Sequence, residues 1–417
     1  MGAAIKDIPI IDVDTHVIEP YDLWTSRLAS KWGDKAPQVR WDETAQEDAW
    51  FMGGERLSAA AGSAMAGYRE YPPYHPRTID DADPATWDAA ARLVRMDEYG
   101  IEAQILYPNV GLFNAARVMG LDEHELQLDV VKAYNDWQSD WSSAAPHRFI
   151  PVSSLPFWDL DATLAEITRC AEKGHRGIIF TQNPMHFGLP GLDERHWDPM
   201  WALCQEAGLP INVHIATGDN GLLQYNGHPD NGQHANYASM GVSFFMGNAR
   251  TIAQLICGGV CHRFPTLDFV SVESGIGWIP FALAALDWQW KNCGVHLEHP
   301  EYELLPSEFF QRQIYGCFWF EETARPRPPS ISSVPTTSST RPTSPTRRAC
   351  RPARRRARCG PTTTWSERSL TRPRTCCARS SMTTRRASTA WTDVSARRTA
   401  TGPIGAVPRR SARQTGR

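Results

Sequence analysis

No stretch of this 417-residue chain approaches the ~20 consecutive apolar residues that a membrane-spanning helix needs. The opening MGAAIKDIPIIDVD also lacks the apolar run of a secretory leader. Its ten cysteines form no CxxC pair and no Cys/His finger spacing, which argues against a disulfide framework or a structural zinc module. No glycine-rich loop follows the first apolar run, which weakens a nucleotide-binding reading. These absences lead to the expectation of a soluble cytoplasmic protein with reduced thiols and no membrane partner.

Charge is present but unevenly placed. Of the 43 Lys and Arg residues, 22 lie beyond residue 324, all of them Arg, whereas only two of the 46 acidic residues, Glu367 and Asp393, lie there. The near-neutral whole, net −3, therefore joins an acidic body with 21 basic against 44 acidic residues to a tail of net charge +20. The body, roughly 8–322, is rich in Trp, Leu, Ile and Val and long enough to bury a core in one domain. The tail, 323–417, has the Arg, Pro, Ser and Thr bias of a segment that cannot offset its ordering entropy by burial, and is expected to be disordered. It lacks Lys, aromatic interleaving and any RNA-binding motif, so no nucleic-acid partner is expected.

Within the body, short β-branched apolar runs recur at 8–14, 102–108, 148–155, 176–182, 209–215 and 267–274, with segments of helical spacing between them. Such alternation reads as buried parallel strands in a (β/α) barrel or a doubly wound sheet. The segment from about Trp24 to Tyr74 breaks the pattern. It reads as a β-ribbon followed by a Gly/Ala-rich mobile loop, inserted after the first strand, where it would serve either as a lid or as decoration.

Three strand ends carry chemistry. In IIDVDTH, strict alternation puts Asp12, Asp14 and His16 on one side, and a carboxylate and an imidazole leaving a strand end together make a compact pair of metal ligands. In PINVHI, His214 closes a buried run, either as a polar cap or as a ligand. In FVSVESGIGW, Glu273 precedes a tight turn into a helix, so it is either a partner of that helix N-terminus or a site residue. His147, His175, His186, His196 and His262 read as solvated or core residues, while His228 and His234 fall in a loop on the expected active face.

Taken together, IPIIDVDTHVIEP, RMDEYGIEAQILYP, HRFIPVSSLP, GHRGIIFTQ, PINVHI and HRFPTLDFVSVESGIGWIPF make the chain resemble the amidohydrolase-related family, over roughly residues 8–322. The branch it resembles includes aminocarboxymuconate-semialdehyde and γ-resorcylate decarboxylases. The resemblance implies an α/β fold, a distorted (β/α)8 TIM-like barrel, with one divalent ion, zinc or manganese. It places the metal ligands on Asp14, His16 and His214 and leaves Glu273 as the catalytic acid/base. Asp14 stands where the family often has His, and Glu273 where many members carry His. The implied activity is decarboxylation of a small carboxylated or aromatic compound. The alternatives are amide, ester or lactone hydrolysis, or a non-catalytic small-molecule-binding barrel. Substrate-binding residues stay unassigned, and homo-oligomerisation is left open.

The same resemblance implies an Asp at the end of an eighth strand, in a stretch like D-F-P-H, and none comes after QIYGCFWFEET. The barrel is therefore expected to be incomplete at its C-terminal strands. Read one base earlier, Ile331–Arg348 permits HIVGADNILYETDFPHPT, and Ser381–Thr392 permits LDDNAAGLYGLD. Two Asp in the second window are forced, because the single codons of Met382 and Trp391 both end in G. The tail is thus read as out-of-frame translation beginning at about residues 323–330.

Overall fold

The apolar runs fold as strands because their β-branched side chains suit a pleated surface buried on both faces. The computed structural model describes residues 10–65, 67–110, 115–218, 228–321 and 338–339. In chain order the strands are β1 Ile10–His16, β2 Gln38–Asp42, β3 Glu47–Met52, β4 Glu55–Ala59, β5 Ile101–Tyr107, β6 Phe149–Pro151, β7 Ile178–Phe180, β8 Ile211–His214, β9 Phe269–Val272, β10 Ile314–Cys317 and β11 Ser338–Ser339. All six predicted runs are there.

β1, β5 and β6 form one parallel sheet, and β7 to β11 form a second with neighbours in chain order. A parallel bridge between Ser153 and Ile178 joins them, so the spatial order follows the chain throughout. Helices fill the crossovers, including Ala89–Tyr99, His124–Ser142, Leu160–Glu172, Asp198–Ala207, Gln233–Cys257 and Ile279–Asn292. Their ends obey local chemistry. Asp88 and Asp159 accept N-terminal amide bonds from Ala91 and Ala162, and Gly100 and Gly208 close helices in the left-handed conformation. No helix among the described residues is long and apolar enough to cross a membrane.

Val13, Ile105, Tyr107, Val152, Ile179, Val272 and Cys317 pack into one apolar cluster drawn from both sheets. Larger clusters lie between the strands and their helices, one around β7 to β10 and one around β1, β5 and the insertion. The small cluster floors the strand ends that carry the polar residues.

Two expectations are corrected. The Gly/Ala-rich stretch after β3 begins as a hairpin and not as a loop: Gly53 and Gly54, with φ of 58° and 84°, turn the chain so that β4 pairs antiparallel with β3, and only the part after Ala59 is turns and irregular chain. A two-residue turn with both φ positive matches the twist of a hairpin, which glycine pairs supply without steric cost. The tail, expected to add no strand, pairs Ser338 and Ser339 parallel with Gly316 and Cys317 of β10. An open strand edge presents unpaired backbone groups that an extended segment can satisfy. The remaining expectations for 322–337 and 340–417 lie outside the described residues.

Candidate metal centre

The end of β1 is not the alternating strand that the sequence suggests. Asp12 pairs with Gln104 and Thr15 with Leu106, so three steps on β1 oppose two on β5, a β-bulge. Val13 joins the interior cluster while the next residue, Asp14, reaches the polar site. Asp12 is thereby turned away. Its Oδ2 accepts from Thr15 Oγ1 at 2.6 Å and Gln104 Nε2 at 3.1 Å, in a wholly buried setting. Burial pushes its pKa up to about 7, the Asp14 charge adding to the rise and the hydrogen bonds opposing it. The expectation that Asp12, Asp14 and His16 share a face therefore fails at Asp12, because register is set by pairing with β5 and not by alternation alone.

Asp14, His16, His214 and Glu273 come together, one ligand atom of each lying within 4.8 Å of the others. His214 Nε2 is 3.3 Å from Asp14 Oδ1 and 3.3 Å from Glu273 Oε2. His16 Nε2 is 3.2 Å from His214 Nε2 and 3.7 Å from Asp14 Oδ1. Glu273 thus joins this cluster, while the amides of Ile276 and Gly277 ahead of the following helix donate to Glu321 Oε1. It leaves β9 at a φ of 59°, the left-handed region that is costly for a side chain with a Cβ.

The outer nitrogens of both imidazoles are committed. His16 Nδ1 donates to Pro108 O and His214 Nδ1 to Ile215 O, each at 2.9 Å. With a proton held at Nδ1, a neutral ring presents its Nε2 lone pair, so two lone pairs and two carboxylates converge on one volume. That is the donor set of a divalent cation, and a backbone carbonyl behind each ring is the usual orienting partner of a ligating His. The four residues therefore fit a single ion. Burial opposes the imidazolium of His214, but Asp14 and Glu273 outweigh it and raise its pKa.

Supporting residues that the sequence did not mark surround the donors. Arg92, wholly buried, bonds His16 O at 3.0 Å, Thr86 O at 3.2 Å, Gln104 Oε1 at 3.2 Å and also Ala85 O. Glu19 Oε1 accepts from the amides of Asn109 and Val110 at 2.8 and 3.1 Å, fixing the loop that supplies Pro108 O. Tyr107 lies edge-on to His214, ring centroids 5.3 Å apart, and donates to Asn212 Oδ1 at 3.0 Å. Glu19 follows the first apolar run and Tyr107 falls within the second, while nothing in the sequence pointed to Arg92.

The five histidines read as solvated or core residues are so placed. His175 is buried between Ser139 Oγ and Ser153 Oγ, its pKa pushed down to about 4 by burial, while His147, His186 and His196 are exposed and His262 is half-buried. His228 is exposed, and His234 lies in the helix Gln233–Cys257 rather than in a loop, its Nδ1 donating to Pro72 O at 2.7 Å.

A model of the amidohydrolase family matches residues 11–326. The chain belongs to that family. Among amidohydrolase relatives, γ-resorcylate decarboxylase of Rhizobium radiobacter is 28% identical over 209 residues, covering 47% of this chain and 58% of that one. The 2-amino-3-carboxymuconate-6-semialdehyde decarboxylase of Dictyostelium discoideum is 22% identical over 244 residues, 58% of this chain and 61% of that one. The chain thus spans about three-fifths of the length of these curated relatives. An amidohydrolase of Mycobacterium avium subsp. paratuberculosis K-10 shares the fold with a TM-score of 0.57 at 22% identity, over 76% of this chain and 85% of that one. A 5-carboxyvanillate decarboxylase of Novosphingobium aromaticivorans, solved with bound manganese, gives 0.50 at 18% identity, over 75% and 80%.

Proposed function

We propose that this amidohydrolase-family chain is a metal-dependent carboxy-lyase that removes CO2 from a small aromatic carboxylic acid. Asp14, His16 and His214 hold one divalent ion, manganese or zinc, and Glu273 handles the proton. The observation that carries this reading is the convergence of two Nε2 atoms 3.2 Å apart with two carboxylates, each ring locked by a carbonyl at its other nitrogen. The decarboxylases among its relatives direct the reading to aromatic acids, and the bound manganese of one supports testing that ion first.

A bound divalent ion supplies a fixed positive charge that neutralises and orients the carboxylate or phenolate of such a substrate. The chain's own residues do the rest. Arg92 and Pro108 O hold the His16 backbone and ring, so the donors are set before substrate arrives. Glu273 is the more exposed of the two carboxylates, 12% against 6% for Asp14, which gives it a route to solvent protons. In the proposed step the bond from ring carbon to carboxylate breaks and its electron pair stays on the carbon. The Glu273 carboxyl protonates that carbon, CO2 leaves, and Glu273 regains its proton from water.

Residues 8–322 form the proposed catalytic unit, and the insertion 24–74 roofs its active face. The hydrogen bond from His234 to Pro72 O and the 5.5 Å ring contact of Tyr74 with His234 support that placement. The test is full-length protein loaded with Mn2+ or Zn2+ and offered γ-resorcylate and 5-carboxyvanillate, with CO2 release measured beside ester and lactone cleavage. CO2 release that E273Q abolishes is the expected result. Ester or lactone cleavage without CO2 would assign hydrolysis instead, and metal binding with no turnover of any of them would leave a binder.

A further inference from the structure

Asn248 has no part in the chemistry above, yet it is wholly buried in the middle of the long helix Gln233–Cys257. Its Nδ2 shares its two protons among three acceptors, Val213 O at 3.0 Å, Val272 O at 3.2 Å and Ser271 Oγ at 2.9 Å. Val213 immediately precedes His214, and Val272 immediately precedes Glu273. One amide therefore ties together the two strand ends that present those residues, at the last ladder pairs of β8 and β9, Val213 with Ser271 and His214 with Val272.

The rest of the amide is equally committed. Asn248 Oδ1 accepts from Gln182 Nε2 at 2.5 Å, and the Gln182 backbone N–H donates to Thr217 Oγ1 at 3.1 Å. That hydroxyl donates to His214 O at 2.7 Å, so the network returns to the ligand from the β7 side. On the β9 side Ser271 Oγ meets Ser274 Oγ at 2.7 Å, bracketing Glu273 and its φ of 59°. A left-handed residue with a side chain persists only where its surroundings over-determine it, and this network does so. Gly247, beside Asn248, leaves room for the Gln182 amide, since a Cβ there would lie 2.7 Å from Gln182 Nε2.

We propose that Asn248 is a positioning residue that fixes His214 relative to Glu273 and thereby sets the affinity of the centre for a divalent ion. This rests on the metal-centre reading and not on the choice of substrate.

The test is Mn2+ titration of full-length native protein, N248A and G247A by calorimetry, with circular dichroism and melting of the metal-free proteins. Loss of an orienting partner of a metal site typically weakens binding about 10–100-fold, and that is expected of N248A with its spectrum unchanged. Ala for Gly inside a helix ordinarily stabilises it, so weaker Mn2+ binding by G247A without a lower melting temperature separates positioning from folding. N135A is the matched control. Asn135 is as buried and bonds Ser154 O at 2.9 Å and Glu166 Oε1 at 2.7 Å, but no donor follows β6. It should melt lower and bind Mn2+ like the native chain. Native affinity in both N248A and G247A, or an equal loss in N135A, would overturn the role. Failure of the native chain to bind Mn2+ would overturn the metal-centre reading beneath it.

Discussion

Glu273 carries two burdens at once, a left-handed backbone and a carboxylate facing Asp14 across His214. A left-handed conformation costs a residue with a Cβ about 1–2 kcal/mol, which glycine avoids. E273G is therefore expected to melt no lower than the native protein in the absence of metal while losing turnover, read by calorimetry and CO2 release. Glu19 bears a different strain. It is wholly buried and its pKa is pushed up to about 7 by burial, against the bonds from Asn109 and Val110 that lower it. Because the folded pKa lies above the unfolded one, Glu19 binds its proton more tightly in the folded state, so stability falls as pH rises from about 4.5 to about 7. E19Q keeps an acceptor for the two amides and removes the charge, so it should flatten that decline in denaturation curves taken across this window. Asp12, raised in the same sense, leaves part of the slope in place. Asp14, His16, His214 and Glu273 were legible in the sequence because each is a polar residue closing an apolar run. Asn248 and Arg92 were not, because nothing within a helix tells which polar side chain will turn inward.

Strands were legible as elements, and their irregularities were not. Alternation is a local pattern, whereas the bulge between Asp12 and Thr15 arises from pairing with a strand about 90 residues away along the chain. Arg92 backs that bulge through the carbonyls of His16, Thr86 and Ala85. Leaving buried acceptors unpaired costs about 1–3 kcal/mol each. R92M is thus expected to lower unfolding stability by about 3 kcal/mol, as a shift in the urea midpoint at constant slope. The hairpin of β3 and β4 escapes a reading by composition for a related reason. Gly and Ala suggest a loop by composition, while paired glycines between alternating residues specify a turn.

For the molecule as a whole, the alternation of runs and helical segments was enough to foresee parallel strands but left their order open, and it was the family resemblance that implied a barrel order. The segment beyond residue 322 was not legible as fold. We hold to the reading that it is translated out of frame. Ser338 and Ser339, which pair with β10 where an eighth strand belongs, fall at the positions read as Ile and Leu in the alternative frame, which supports it. Sequencing the gene between the codons for Glu322 and Ile331 is expected to show a gained or lost base. An unchanged gene, together with Arg-rich tail peptides in the mass spectrum of the expressed protein, would end that reading.

The two imidazoles that face each other belong to residues 198 positions apart, and Glu273 lies further on still. A ribosome must therefore deliver β9 before the last donor exists, however early β1 emerges. Closing such a loop is slow, and an ion gains its full affinity only once the loop is closed. Metal capture should then come late in biogenesis, after the body has assembled, so that the ion acts less as a nucleus for folding than as a seal on a finished chain.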